Sequence, residues 1–113
     1  MKNPDDIITA LGALAQHHRL AAFRALVAAG PDGLAAGDMA TRLGIPASSL
    51  SFHLTQLERS KLVIRRRAGR SLIYSADFAA MTGLVDYLTE NCCGGAACAP
   101  DAVSTSETQR KVA

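Results

Sequence analysis

Residues 46–74 have the sequence PASSLSFHLTQLERSKLVIRRRAGRSLIY, and this stretch decides the fold. Leu50, Leu54 and Leu57 recur at intervals of four and three residues, which places them on one face of a helix. Pro46 suits the start of this helix, because its fixed φ fits the first turn and its missing N–H is not needed there. The sequence therefore predicts a helix with a buried leucine face and an outward polar face.

Two short apolar or β-branched runs follow this helix, at residues 62–67 and 71–75. Ala68-Gly69-Arg70 separates them, which predicts an antiparallel hairpin with glycine in the turn. Four arginines lie in this hairpin, and side chains alternate along a strand, so Arg65 and Arg67 share one face. Which face would meet a partner is left open by the sequence.

The rest of the chain to residue 91 shows helical spacing of apolar residues between clear breakers. A short third helix ended by Gly44, followed by the helix that begins at Pro46, forms a helix-turn-helix. Gly30-Pro31-Asp32-Gly33 ends the second helix, whose predicted core side chains include Leu20. The apolar stripe of the first helix includes Ile8 and Leu11. The predicted bounds of the first, second, third and last helices are about 5–16, 18–29, 36–43 and 77–90.

The predicted fold is mainly helical (α+β), a winged helix-turn-helix with the order helix-helix-helix-helix-strand-strand-helix. The last helix carries more apolar residues than one small domain needs, which indicates a dimer interface. We expect one DNA-binding and dimerisation domain over residues 1–91. Residues 92–113 lack periodicity and are expected to form a cysteine-containing, otherwise flexible tail.

Composition and charge distribution favour a protein that contacts phosphates. The 113 residues are 49% hydrophobic, enough for one core without metals or disulfides. The formal net charge is +2, but residues 46–75 hold six basic and one acidic side chain, whereas residues 76–113 hold two and five. A local arginine surplus is the electrostatic footprint of a nucleic-acid surface. We find no long apolar run or signal peptide, so we expect a cytoplasmic protein without a membrane partner.

The predicted function is double-stranded DNA binding through the fourth helix and the hairpin. A major groove admits one α-helix, whose N-terminal residues face the base edges. Phe52 could touch a thymine methyl and Gln56 could reach adenine. His53 lies near the buried face, so a direct contact and a structural role are both open. The candidate DNA-binding residues are Ser48, Ser49, Ser51, Phe52, His53, Gln56, Arg66, Arg67 and Arg70.

The motif Ser51-Phe52-His53-Leu54-x-x-Leu57, then Leu62-Val63, Arg66-Arg67-x-Gly69-Arg70 and Tyr74, resembles the ArsR-type (ArsR/SmtB) metal-responsive winged-helix repressors. The resemblance covers residues 11–88. It implies a homodimer held by the first and last helices, which binds an imperfect inverted repeat and releases it when an inducer binds. The Cys-x-Cys pair typical of the family's third helix is absent, so a thiol sensor must lie elsewhere.

The three cysteines, Cys92, Cys93 and Cys98, all lie within seven residues after the last predicted helix. Gly94 and Gly95 between them let the chain turn back. Three thiolates without a nearby fourth ligand fit a three-coordinate thiophilic ion better than tetrahedral zinc. We therefore expect As(III) or Sb(III) as inducer, with no required cofactor, and family members with paired C-terminal cysteines resemble arsenite sensors.

Other interpretations of the cysteines and of the chain stay open. A soft divalent metal could be the inducer, or a redox switch could form, for which Cys93 with Cys98 is the easier disulfide. An enzyme is disfavoured, since the sequence has neither a glycine-rich phosphate loop nor a set of catalytic residues that the helices would bring together. A protein-interaction or metal-buffering module would bind arsenite but lack salt-dependent affinity for duplex DNA. The predicted function is thus an arsenite-responsive transcriptional repressor.

Overall fold

Five α-helices and a small antiparallel sheet build the protein in the computed structural model, which describes residues 3–95. The sheet order is β1-β3-β2, and β2 and β3 form the predicted hairpin. This architecture confirms the predicted winged helix-turn-helix. None of the helices in the described range is long and apolar enough to span a bilayer. The elements are α1 (Pro4–Leu14), α2 (His17–Ala29), β1 (Leu34–Ala35), α3 (Ala36–Leu43), α4 (Ala47–Arg59), β2 (Val63–Ala68), β3 (Ser71–Ala76) and α5 (Phe78–Thr89), followed by a 3-10 turn (Cys92–Gly95).

Side-chain caps determine where three of the helices begin. Asn3 accepts a hydrogen bond from the Asp6 N–H at 2.9 Å, and Asp77 accepts one from the Ala80 N–H at 3.0 Å. Gln16 likewise accepts from the Arg19 N–H and caps α2. The prediction that the first helix runs to Gln16 is therefore wrong by two residues, because Gln16 satisfies an orphan donor of the next helix.

The predicted order of elements lacks β1. In the structure this strand lies between the second and third helices. Leu34 pairs with Tyr74 and Ala35 with Ile73, so β1 covers the second edge of β3. Two residues are too short to show an alternating pattern, and their extended conformation comes from pairing with β3. The hairpin turn is also one residue shorter than predicted, because Ala68 still pairs with Ser71.

The core forms where α4 packs against α1, α2, α3 and β2. Leu50, Leu54 and Leu57 are 1%, 0% and 0% exposed, which confirms the predicted buried face of this helix. Burying a leucine side chain contributes about 1.5–3 kcal/mol. Leu26, Met39 and Leu62 complete the set of largest fully buried side chains among the described residues.

Two helices expose apolar side chains instead of burying them. Only part of the apolar stripe predicted for the first helix is buried. Ile7 lies in the core, but Ile8 is 65% and Leu11 41% exposed. On α5, which contacts α1, Val85 is 52% and Leu88 58% exposed. Both helices therefore carry exposed apolar side chains.

Leu20 corrects a further prediction. This α2 side chain was expected in the core but is 45% exposed, whereas Ala22, Phe23 and Leu26 of the same helix are buried. Spacing by three or four residues defines a face of a helix, but the packing of the neighbouring elements decides which face is covered.

Gly33 is required by the packing of β1, and we predict that Gly33→Ala destabilises the fold. A Cβ at this position would press on the Tyr74 carbonyl oxygen and lie 3.2 Å from the Ile73 Cγ2, and the backbone φ is +74°. We expect the unfolding free energy to fall by about 1–3 kcal/mol. Gly37→Ala is the control, because nothing lies within 4 Å of its added Cβ inside α3. Urea denaturation of both variants tests this, and equal stability would contradict the close approach.

Candidate nucleic-acid interface

The outward face of α4 presents small polar groups at the beginning of the helix. Ser48, Ser49 and Ser51 are exposed, and the N-cap residue Pro46 makes no side-chain hydrogen bond to the first turn. Phe52 is 59% exposed on the same surface. Short side chains leave room for a close approach, and a helix start with open N–H groups attracts phosphate oxygens. This surface has the shape and chemistry to enter a major groove.

Two other candidates on α4, His53 and Gln56, are half-buried. The His53 Nδ1 lies 3.4 Å from the Arg19 Nη1, and its ring centroid lies 5.5 Å from that of His18. Burial lowers the pKa of His53 below its usual value, and the nearby Arg19 and His18 lower it further. The structure therefore gives His53 a contact with α2 in addition to its position beside the polar face.

The hairpin of β2 and β3 forms a wing beside α4. Gly69 has a φ of 62° at the turn, a left-handed conformation that glycine adopts at low cost. Arg65 pairs with the buried Tyr74 and Arg67 with Leu72, so both arginines lie on the same face of the sheet, and Arg67 lies nearer the exposed turn. Arg66 pairs with Ile73 on the opposite face.

Two of the wing arginines are held by contacts within the protein. The Arg65 Nε lies 3.5 Å from the Glu58 Oε2, which joins the wing to the last turn of α4. The Arg66 Nη2 donates to the Asp32 carbonyl oxygen at 2.8 Å, across β3 from its own strand. Arg66 was a candidate DNA contact, and in this structure its guanidinium is bonded to the turn before β1.

Arg67 and Arg70 are the candidates whose guanidinium groups face solvent. Both side chains are exposed, and within residues 3–95 neither makes an ion pair or a protein hydrogen bond. Arg70 lies in the turn itself. These two arginines and the polar face of α4 are the parts of the candidate site that are exposed to solvent.

The cysteine segment follows α5 directly. Asn91 and Cys93 each have a φ of 59° and Gly94 a φ of 68°, so the chain turns sharply here. The Cys92 Sγ lies 3.6 Å from the Cys93 Sγ. Cys98 and the rest of the predicted tail, residues 96–113, lie outside the described residues. In the described part of the chain, no three His, Cys, Asp or Glu side chains cluster as metal ligands.

The sequence matches a family model described as a helix-turn-helix domain over residues 14–66. A search of curated proteins gives no significant match. Among solved structures, HlyU from Vibrio cholerae N16961 has a TM-score of 0.65 at 27% identity, covering 81% of this chain and 97% of that one. The chain is a winged helix-turn-helix protein.

Two further solved structures similar to this winged helix-turn-helix protein carry the ArsR description. An ArsR-like transcriptional regulator from Rhodococcus sp. RHA1 has a TM-score of 0.66 at 25% identity, covering 74% of this chain and 76% of that one. The homodimeric winged helix-turn-helix DNA-binding domain of Mb0332 from Mycobacterium bovis, a possible ArsR-family transcriptional regulator, has a TM-score of 0.61 at 26% identity, covering 84% and 88%.

The comparisons support DNA-binding transcriptional regulation by this winged helix-turn-helix protein. The Rhodococcus and Mycobacterium bovis proteins are described as transcriptional regulators and not as enzymes, in agreement with the prediction that the chain is not an enzyme. Sequence reasoning missed Arg19 and Asp32 as partners of the candidate residues His53 and Arg66, and Glu58 as the partner of Arg65. Two of these contacts join residues 34 positions apart, and no local pattern indicates such a pair.

The wing arginines are predicted to differ in their effect on salt dependence. Arg70→Ala should reduce the slope of log K against log[salt] by about 0.9, the value for one lost phosphate contact on duplex DNA. Arg66→Ala should lower affinity with a smaller change of slope, because its guanidinium is bonded to Asp32. Fluorescence anisotropy at several salt concentrations measures both, with Arg24→Ala, an exposed arginine on α2, as control. An equal slope change in the Arg66 and Arg70 variants would contradict the assignment.

Proposed function

We propose that this protein is an ArsR-type transcriptional repressor, a homodimer that binds an imperfect inverted repeat in duplex DNA and releases it when As(III) or Sb(III) binds its C-terminal cysteines. The observation that carries the DNA-binding part is the exposed polar face of α4 beside the basic wing. The buried leucines keep this face outward, and Arg67 and Arg70 of the wing would add contacts to phosphates. Serine hydroxyls, Gln56 and Phe52 then supply contacts to base edges.

The exposed apolar surface of α1 and α5 supports a second copy of the chain as partner. Ile8, Leu11, Val85 and Leu88 are each more than 40% exposed, and the two helices contact each other. A two-fold axis through this surface would bury it against itself and leave α4 of both copies free. Two recognition helices about one DNA turn apart, roughly 34 Å, fit an inverted repeat. The Mb0332 domain is homodimeric, in agreement with this proposal.

The sulfur chemistry supports a thiophilic inducer. The 3.6 Å between the Cys92 and Cys93 sulfurs is less than twice a typical metal–thiolate bond of about 2.3 Å, so one ion can reach both. Cys98 would add the third thiolate of a three-coordinate site. Ligation requires reduced thiols, and by linkage the ion must bind the DNA-free state more tightly than the DNA-bound state.

The closeness of the Cys92 and Cys93 sulfurs, 3.6 Å apart, also fits a second candidate, a thiol-redox-responsive repressor of the same fold. In that case an oxidant removes two electrons and two protons from two thiols, and the new S–S bond reshapes the segment after α5. DNA affinity would then differ between reduced and oxidised protein without any metal. Titrating the DNA-bound protein with an oxidant and with arsenite in parallel distinguishes redox sensing from arsenite sensing.

The dimer surface is tested by placing a charge on it. Val85→Lys puts an ammonium group among apolar side chains, so the variant should be monomeric at concentrations where the wild type is a dimer. Its affinity for an inverted repeat should also fall, because the two recognition helices are no longer linked. Asp86→Lys, one residue further and about 100° around the helix, is the control. Analytical ultracentrifugation decides, and a fully dimeric Val85→Lys variant would overturn this surface.

Arsenite should release DNA from the wild type but not from the cysteine variants. The protein is reduced with a phosphine, because a dithiol reductant would compete for arsenite, and is bound to a labelled duplex selected for binding. Arsenite should then lower the fluorescence anisotropy of the wild type, whereas Cys92→Ser and Cys98→Ser should keep the DNA bound.

The controls separate the candidates. Ser104→Ala, in the same C-terminal segment, should respond like the wild type, and arsenate should have no effect. Release from the cysteine variants by arsenite would contradict the proposed site. Release of the wild type by oxidation alone, without any response to arsenite, would favour the redox candidate. Failure of the reduced wild type to bind any selected duplex in a salt-dependent way would overturn the repressor itself.

A further inference from the structure

One guanidinium group, that of Arg19, joins three helices. Its Nε donates to the Ala13 carbonyl oxygen at 2.7 Å, in the last turn of α1. The Arg19 main-chain N–H is capped by the Gln16 side chain at 2.9 Å, at the start of α2. Its Nη1 lies 3.4 Å from the His53 Nδ1 on α4. Arg19 therefore connects the helix with the exposed apolar surface to the helix with the polar face.

The contact with α1 is favourable on two grounds. The last carbonyls of a helix have no intrahelical partner, and Ala13 is among them. A cation at a helix C-terminus also interacts favourably with the partial negative charge of that end. Arg19 is half-buried, and its planar fork of donors reaches two acceptors at once. The hydrogen bond to Ala13 therefore holds the guanidinium independently of its contact with α4.

The contact with α4 restricts His53 to one protonation state. Arginine has donors only, so the His53 Nδ1 must accept, which it does only as a neutral imidazole that carries its proton on Nε2. Burial, Arg19 and His18 all lower the pKa of His53, so the neutral ring is the form present near pH 7. Protonation would turn Nδ1 into a donor that faces a second cation.

Other elements that pack around α4 also carry charged side chains. Helices α1 and α3 and strand β2 also pack against α4. Arg19 and His18, both on α2, are the charged or titratable neighbours that lower the pKa of His53, after burial. The charged side chains on the other three elements are Asp5, Asp6, Asp38, Arg42, Arg65, Arg66 and Arg67.

We propose that Arg19 and His53 are positioning residues that fix the orientation of α4 on α2, so that protonation of His53 weakens DNA binding. The proposal rests on the proposed DNA-binding function and assigns His53 a role other than direct contact. The sign of the pH effect separates the two roles. A histidine that touched phosphate would gain a positive charge at low pH and strengthen binding, whereas a positioning histidine loses its acceptor and weakens it.

The experiment measures the Kd for a selected duplex between pH 7.5 and pH 5.5, in the reduced wild type and in four variants, one of which is Arg19→Gln. His53→Asn keeps an acceptor near the position of Nδ1 but cannot titrate, and His53→Leu removes the acceptor. His17→Asn is the control, because His17 is an exposed histidine of α2 next to the cluster. Circular dichroism at each pH establishes that every variant is folded.

The expected result is a wild-type Kd that rises on acidification relative to that of His53→Asn. Lowering the His53 pKa by half a unit in the complex corresponds to about threefold, and by one unit to about tenfold. His53→Asn should bind more tightly than His53→Leu at pH 7.5, and His17→Asn should follow the wild type. Arg19→Gln should weaken binding and flatten the pH profile.

Two results would overturn the proposal. A wild-type affinity that increases at low pH relative to His53→Asn would assign His53 to direct phosphate contact. Identical pH profiles of the wild type and His53→Asn would show that the pair does not position α4. Both results require that the wild type binds duplex DNA at pH 7.5, so a failure of the repressor function itself is seen separately, as absent binding at every pH.

Discussion

The burial of one face of α4 is the constraint on which the rest of the structure depends. Leu50, Leu54 and Leu57 are almost completely removed from solvent by contacts with α1, α2, α3 and β2. Enclosure of three side chains on one face by four elements limits how far the helix can rotate about its axis. The serines at the start of α4 and the ring of Phe52 are consequently held on the outside. The candidate DNA surface is thus produced by the packing of the core.

The connection from α4 to the cysteines passes through Leu62. Its N–H donates to the Leu57 carbonyl oxygen at 3.2 Å, and its carbonyl oxygen accepts from the Asp77 N–H at 2.9 Å. The last turn of α4, the base of the wing and the start of α5 are therefore bonded through one fully buried residue. A change in α5 that moved Asp77 would act on this same residue. This arrangement gives the proposed inducer site, which follows α5, a covalent and hydrogen-bonded route to the recognition helix.

The wing and the His53 cluster show how the structure divides similar side chains among different roles. Arg65 and Arg66 make contacts within the protein, whereas Arg67 and Arg70 point to solvent. In the sequence alone, nothing distinguishes these four arginines as candidate DNA contacts. The strand register and the nearby turn of Asp32 give them different roles. A guanidinium that can reach a protein acceptor is bonded to it in the absence of DNA.

The sequence by itself determined the helix-turn-helix, the hairpin and the buried leucine face, because these follow from spacings of two to four residues and from local breakers such as Gly44 and Gly69. It also indicated the polar face of α4 and the cluster of cysteines. It could not determine β1, whose two residues become a strand only by pairing with β3, nor the exposure of Leu20. The contacts of Arg19 with His53 and of Arg66 with Asp32 were decided by the tertiary structure alone. They join residues 34 positions apart, and only the packing of separate elements brings such side chains together.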